Sequence, residues 1–537
     1  MSALSALPAG PGPSHVAPSR LAPSRLAPPR LVRALGLELK RSAVPYLLPL
    51  LALLFYYDTV RTAAGYPPVW TLRASLIDRD LLIDFSVFAG GLAAWEGARE
   101  GRRRTGDLLA TTPRAAWPRL CVTLAGTLCW LLLAFLGCVT VLYVQTAVQA
   151  TGGGPPLWPV FVGAAGVTVM TVTGFTAGAV LPGRFTAPLV ALAMAVLYEI
   201  GFREAQLVSA SPAKPALPSP VVPPLQVIVF HALSSGTYAL LSPTTAPQAV
   251  DAGVYHRVVP DLSIVQVMFM GGIAVTVLGV LGLTAGLRQP GRPGGLLARL
   301  VAVVLVACGA AASWTGFALA GTAKPDPVAG GWEIPALHSA ASDQPAAAAP
   351  DCRSAAGLQV CVAPALGFDL PAVAAELDPV AAEIAGLPGA PARAEEVDSR
   401  NGWKAGISGN PPVFEFNTDH VDTVNTWLDG VSSLAAWRTG FPQGLLDAFL
   451  AGPSPAAGLN PAQQAVEDAL LAAAGAQPTP QPPGPAQPLP ASAAQLPAAS
   501  AAAARRFEAL PAGARHAWLG AHLAALRAGK ITLAQLP

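Results

Sequence analysis

Trp95-Glu96-Gly97-Ala98-Arg99-Glu100-Gly101-Arg102-Arg103-Arg104-Thr105-Gly106-Asp107-Leu108-Leu109 separates two apolar runs, and Pro113 and Pro118 stand before the second of them. A short loop this rich in arginine, pinned between two membrane spans, stays on the cytoplasmic side. It is charged and held at both ends, a shape suited to receiving force from a soluble partner. Orientation alone accounts for Arg99 to Arg104. It does not account for Thr105 to Pro113, an amphiphilic segment with an apolar pair and a proline stop, the pattern of a short helix lying along a membrane surface.

The composition agrees with a membrane protein. Only 12% of the 537 residues are charged, against about twice that share in a soluble domain, and 53% are hydrophobic. Mean hydropathy is +0.48. The length leaves room for a membrane domain and a soluble one. Net charge is +2, with basic residues gathered at 20–41, 99–119 and 288–299. No extended basic face points to nucleic acid. Residues 1–30 repeat Pro-Ser-Arg-Leu-Ala-Pro and lack the apolar core of a signal peptide, so they read as a disordered, basic cytoplasmic tail.

Crossing a bilayer core of about 30 Å takes about twenty apolar residues. Seven runs qualify, at about 43–61, 81–98, 120–147, 157–181, 185–202, 263–286 and 296–321, the last within a segment 291–322. The second has Asp84 and Glu96 toward its ends, where a carboxylate costs far less than the roughly 3 kcal/mol of a bilayer centre. With the N-terminus inside, the loops 99–119, 182–184 and 287–295 are cytoplasmic and hold most of the loop arginines. An odd number of spans then places everything after residue 322 outside. Asp58, Asp84 and Glu199 fall at outer ends of spans and read as solvated carboxylates, with Glu199 the best candidate for a transport role.

Cys121, Cys129, Cys138 and Cys308 lie in expected spans, where a thiol is a small apolar residue. Cys352 and Cys361 lie in the soluble part and flank Gly357; they either close a small disulfide loop outside the membrane or are two unrelated thiols. After an Ala/Pro/Gly linker at 323–350, a small α+β domain is expected at 351–450. It has strands at Leu358–Val362, at Arg393 to Val397 and at Val413–Phe416, and an amphipathic helix over 370–386 with Asp369 as N-cap. A second helix is marked by Val421, Val424, Leu428, Val431 and Leu434. The Ala/Pro-rich remainder, 451–537, is low in complexity over 475–500. It ends in a helix from about 512 to 528 that either docks on the domain or rests on a partner or membrane.

Enzyme chemistry finds little purchase. There is no phosphate-binding Gly-x-x-x-x-Gly-Lys-Ser/Thr, no His-Glu-x-x-His and no nucleophile elbow. Asp419, His420 and Asp422 gather at a helix start, where capping explains them. His516 and His522 fall on different faces of one helix. No catalytic residue, metal or cofactor is expected.

The segment from Glu100 to Pro113 resembles the cytoplasmic coupling segment of ABC-2 type transporter permeases. In that family an acidic-basic start leads into Gly-Thr, an acidic residue, Leu-Leu and then Pro. Here Glu100, Arg102 and Arg103 supply the start, Arg104-Thr105 replaces Gly-Thr, and Asp107, Leu108, Leu109 and Pro113 match. The family's six-span core fits residues 31–290; the seventh span and the exported domain lie outside it and look like an actinobacterial elaboration. The resemblance implies an α-helical polytopic protein of a bacterial cell membrane, the permease subunit of an ATP-binding cassette exporter. It would work as a homodimer or heterodimer of permeases, driven by a separate cytoplasmic ATPase that grips the loop and hydrolyses the ATP. The other reading from residues alone is a membrane-tethered binding or sensing protein that presents its extracytoplasmic α+β domain without transport.

Overall fold

The first helix, α1 (Pro28–Arg41), is strongly amphipathic and carries Lys40 and Arg41 in its last turn, where cations suit the helix dipole. It meets α2 (Val44–Phe55) at a bend of 61°. Pro45, in the first turn of α2, needs no amide there and stiffens the new start. A π-helical turn, Tyr56–Val60, prolongs α2. These features come from a computed structural model that describes residues 28–61, 63, 68–77, 82–103, 115–196, 259–287, 295–325, 332–339, 349–397, 406–416, 440–452, 459–476 and 496–537.

Next come α3 (Trp70–Leu76), α4 (Leu82–Gly97), a single helical turn at Arg99–Arg102, α5 (Ala116–Gln149), α6 (Trp158–Val180), α7 (Thr186–Val196), α8 (Asp261–Leu287) and α9 (Gly295–Ala320). The protein is mostly helical, with apolar helices compatible with a membrane. Four of them, α5, α6, α8 and α9, are long and apolar enough to cross a bilayer, and the bent pair α1–α2 makes five if it counts as one span.

Among the described residues that is fewer than the seven runs expected. The run expected at 81–98 is a helix of 16 residues, about 24 Å at 1.5 Å per residue, short of a hydrocarbon core of about 30 Å. The run expected at 185–202 is described only as the eleven-residue α7, and Glu199 lies outside the described residues. The run at 43–61 is interrupted by the change from α-helix to π-helix at Tyr56.

Small residues let α4 and α6 touch along their backbones. A Cβ at Gly178 would strike the Ala94 carbonyl, and one at Gly174 would strike that of Gly90. Between apolar helices in lipid, such close approach supplies the dispersion energy that water-driven burial cannot. The helix α5 closes the other side, where Phe85 and Phe135, both fully buried, meet edge to face at 5.7 Å. The helices α8 and α9 form an antiparallel hairpin packed through Gly272, Gly279 and Gly309, whose other face exposes Leu296, Leu300, Val303 and Val304 as a lipid-facing surface would.

The segment expected to be a loose linker is partly built. A two-residue antiparallel ladder joins β1 (Lys324–Pro325) to β2 (Trp332–Glu333). Ile334, fully buried, packs with Leu262, Val265 and Ala320 at the end of the α8–α9 hairpin.

Beyond it lies the sheet domain: β3 (Asp351–Ala355), β4 (Leu358–Val362), α10 (Leu370–Ile384), β5 (Arg393–Glu396), β6 (Gly406–Ser408) and β7 (Val413–Phe416). Strand order is β3-β4-β5-β7-β6, with parallel pairing in the middle and antiparallel strands at both edges. The amphipathic stripe of α10 buries Val373, Leu377, Val380 and Ile384 on this sheet.

The core does not stop at residue 450. The helices α11 (Gly440–Ala451), α12 (Pro461–Ala473), α13 (Leu496–Glu508) and α14 (Ala512–Arg527) place Leu445, Phe449, Val466, Leu470, Phe507 and Leu523 in the same apolar cluster as the sheet. The division at 450 is therefore not a boundary. Five short strands and one helix bury too little apolar area alone, and these helices complete the layer. The C-terminal helix docks on the domain, with Arg515 paired to Glu383 at 2.7 Å. The helix expected from Val421 to Leu434 lies outside the described residues.

Candidate functional site at the base of the arginine loop

The arginine loop leaves α4 and returns at α5, and its two roots are held by ion pairs. Glu96, near the end of α4, is 4% exposed. A buried carboxylate needs donors. Its Oε1 accepts the backbone N–H of Ala43 at 2.6 Å, and its Oε2 lies 3.4 Å from Arg99 Nη1. Glu96 thereby caps the start of α2 from a different helix. Arg99 reaches the other way as well, its Nη2 donating to Glu38 Oε2 on α1 at 2.6 Å. One arginine thus ties the end of α4 to the amphipathic helix.

At the second root, Glu100 accepts two hydrogen bonds from Arg119 in the first turn of α5. The fork-to-fork geometry fixes direction as well as distance. Trp130 of α5 also donates its indole N–H to the Leu39 carbonyl of α1 at 3.0 Å. Gly101 lies so near Pro182, in the turn between α6 and α7, that a Cβ there would collide with the proline ring. The base of the loop is therefore gripped by α1, α4, α5 and the α6–α7 turn together.

Of the residues expected to receive a partner, Glu100, Arg102 and Arg103 lie in the described part, and Arg104, Thr105, Asp107, Leu108, Leu109 and Pro113 lie outside it. The three do not form one exposed knot. Glu100 is spent on Arg119. Arg102 folds back, its guanidinium 3.6 Å from the centre of the Trp95 ring and its Nη1 donating to the Trp95 carbonyl at 2.7 Å. Arg103 is exposed.

Three residues of this site escape a reading of composition and motif: Glu38, Glu96 and Arg119. In the sequence Glu96 stands out only as an acid toward the end of an apolar run. Its i,i+3 spacing from Arg99 was the available signal, since residues so spaced share a helix face.

On the opposite face of the membrane helices, Thr151, just after α5, uses one hydroxyl twice. It donates to the Pro364 carbonyl at 2.9 Å and accepts from the Phe368 N–H at 3.0 Å. The sheet domain is thus seated on the α5–α6 loop. Cys352 and Cys361, register partners on β3 and β4, are joined by a disulfide with S–S 2.13 Å. Asp261, 1% exposed at the start of α8, accepts the Ile334 N–H at 3.0 Å and faces His338 Nδ1 at 3.2 Å. Among the described residues no group of three or more His, Cys, Asp or Glu side chains is arranged to hold a metal ion. Comparison with protein-family models, with curated proteins and with solved structures finds no match to this chain.

Proposed function

We propose that the chain is the permease subunit of an ATP-binding cassette transporter of ABC-2 type, an exporter driven by a separate cytoplasmic ATPase that engages the loop 99–119. One observation carries the reading. The loop's roots are tied by Arg99–Glu38, Glu96–Ala43 and Arg119–Glu100 to three different helices. A loop that served only to orient the chain would need charge and no such ties. A loop that receives a push must pass it on, and ion pairs reaching α1 and α5, with a carboxylate–amide hydrogen bond at the start of α2, make a stiff root for a lever. On this reading the first spans move when the ATPase closes, and the path opens on the side where the sheet domain sits. The N-terminus is then cytoplasmic, the protein lies in a bacterial cell membrane, and two permeases form the pathway.

The second reading, a tethered binding or sensing protein, draws on the large apolar core of the sheet domain, to which the membrane part adds Val69. The two separate by experiment. A photo-crosslinking amino acid in place of the exposed Arg103, in cells expressing the chain with its neighbouring genes, is expected to capture a nucleotide-binding ATPase. Crosslinks only to lipid or to the chain itself would overturn the permease reading and leave the tethered one.

A further inference from the structure

Inside the sheet domain, two acids face each other where α11 packs on α12. Glu467 of α12 is 4% exposed, and its Oε1 has no hydrogen-bond partner. Its neighbours are the carboxyl of Asp447 and the amide of Gln443, both on α11. Two ionised carboxylates are acceptors only and cannot satisfy each other. One proton between them turns one oxygen into a donor, so the pair is complete only when it holds that proton.

No base reaches this pair among the described residues. Asp468, next in α12, adds a like charge. On α14, Arg515 is taken by Glu383 and Arg527 by the Phe449 and Pro388 carbonyls. His516 and His522 lie against the Glu383 and Trp518 carbonyls. Arg505, Arg506 and Glu508 on α13, and Glu376 and Asp378 on α10, are exposed. On the sheet side of α11, Glu415 is bound by the Ser408 hydroxyl. Burial and the two neighbouring acids push the Glu467 carboxyl up to about 8, and burial raises Asp447 as well.

We propose that Asp447 and Glu467 are a proton-operated latch, closed when they share a proton across the α11–α12 contact, and that its opening releases α12 and α13 from the rest of the domain. The inference concerns the sheet domain alone and stands whether or not the chain is a permease. The observation behind it is a buried carboxylate, one oxygen of which is unpartnered, set against a second carboxyl that is also an acceptor.

Hydrogen exchange on the full chain in detergent micelles, corrected for intrinsic amide rates, tests it. Between pH 5.5 and pH 9 the protection of peptides from α12 and α13 should fall by about tenfold or more, with β4 and β5 changing much less. Glu467→Gln and, separately, Asp447→Asn should each flatten that dependence, because an amide donates without a proton. Two variants are used so that a folding failure in one leaves the other to decide. Unchanged protection in the parent chain, or the same pH dependence in a folded variant, would overturn the latch.

Discussion

Arg119 holds Glu100 through two hydrogen bonds, Nε to Oε1 at 2.7 Å and Nη2 to Oε2 at 2.9 Å, and so closes the arginine loop at its root. Both side chains are partly solvated, at 19% and 30% exposure, so the pair contributes only about 1 kcal/mol to stability. Its larger effect is on the loop's direction. If the chain is the permease proposed above, Glu100→Arg or Arg119→Glu alone should leave insertion intact and lower ATPase association several-fold. The double swap should recover most of it. Equal loss in the single and double variants would mean that the charges matter individually and the pair does not.

The backbone contact between α4 and α6 gives a sharp contrast between two glycines. Gly178→Val places a side chain against the Ala94 carbonyl and should cost about 3 kcal/mol or more, since neither backbone can retreat. Gly137, on α5, has nothing within 4 Å of where its Cβ would be. Gly137→Ala should be neutral or stabilising by up to about 1 kcal/mol. Thermal unfolding and monodispersity in detergent read both.

The Cys352–Cys361 bridge spans a sequence separation of 9, for which loop-closure entropy gives a stabilisation of about 2.5 kcal/mol. Alkylation of the denatured, unreduced chain should modify Cys121, Cys129, Cys138 and Cys308 only. After reduction all 6 cysteines should react. Six modified thiols in protein taken directly from membranes would show that the bridge does not form in the cell.

Glu467 sets a pH dependence whose sign is fixed by its direction of shift. Its folded carboxyl titrates at about 8, above the value of about 4.5 of a free glutamic acid. Folding therefore favours the protonated form. The associated stability is complete below about 4.5 and is lost as pH rises through about 8. The unfolding temperature of the sheet domain should fall from pH 5 to pH 9, by an amount equivalent to about 2 kcal/mol or more. Glu467→Gln should remove most of that slope.

At the junction, Asp261 and His338 hold the segment after α9 to the start of α8. Asp261→Ala strips the Ile334 N–H of its acceptor and leaves it buried, a loss of about 1–3 kcal/mol confined to this corner. Limited proteolysis should then cut between the membrane helices and the sheet domain at least severalfold faster than in the parent chain. An unchanged cutting rate would mean that the apolar packing of Ile334 holds the corner without the carboxylate.

The apolar runs announced α5, α6, α8 and α9 because a long stretch without charge has few other uses. The short apolar run Leu358–Val362 placed β4, and the stripe from Val373 to Ile384 placed α10, whose pattern maps onto one buried face. What could not be read was pairing at a distance. In the sequence Glu96 is an acid at the end of an apolar run, because its compensating groups, Ala43 N–H and Arg99, come together only on folding. Composition likewise put a boundary at residue 450, whereas Val466 and Phe507 belong to the sheet's own core. Ala-rich helices bury small side chains, and their patterning is faint until the partner surface is known. Arg102 stands in the arginine-rich stretch of the sequence with nothing there to mark its stacking on Trp95.

The most direct measurement is co-purification. The chain is expressed with its neighbouring genes, solubilised gently, and compared with an Arg103→Glu, Arg104→Glu variant, which spares the root contacts of Arg99, Arg102 and Arg119. A nucleotide-binding ATPase should accompany the parent chain and be lost from the well-folded variant. If no ATPase accompanies the parent, or if one stays bound to the variant in full amount, the arginine loop is not the coupling element.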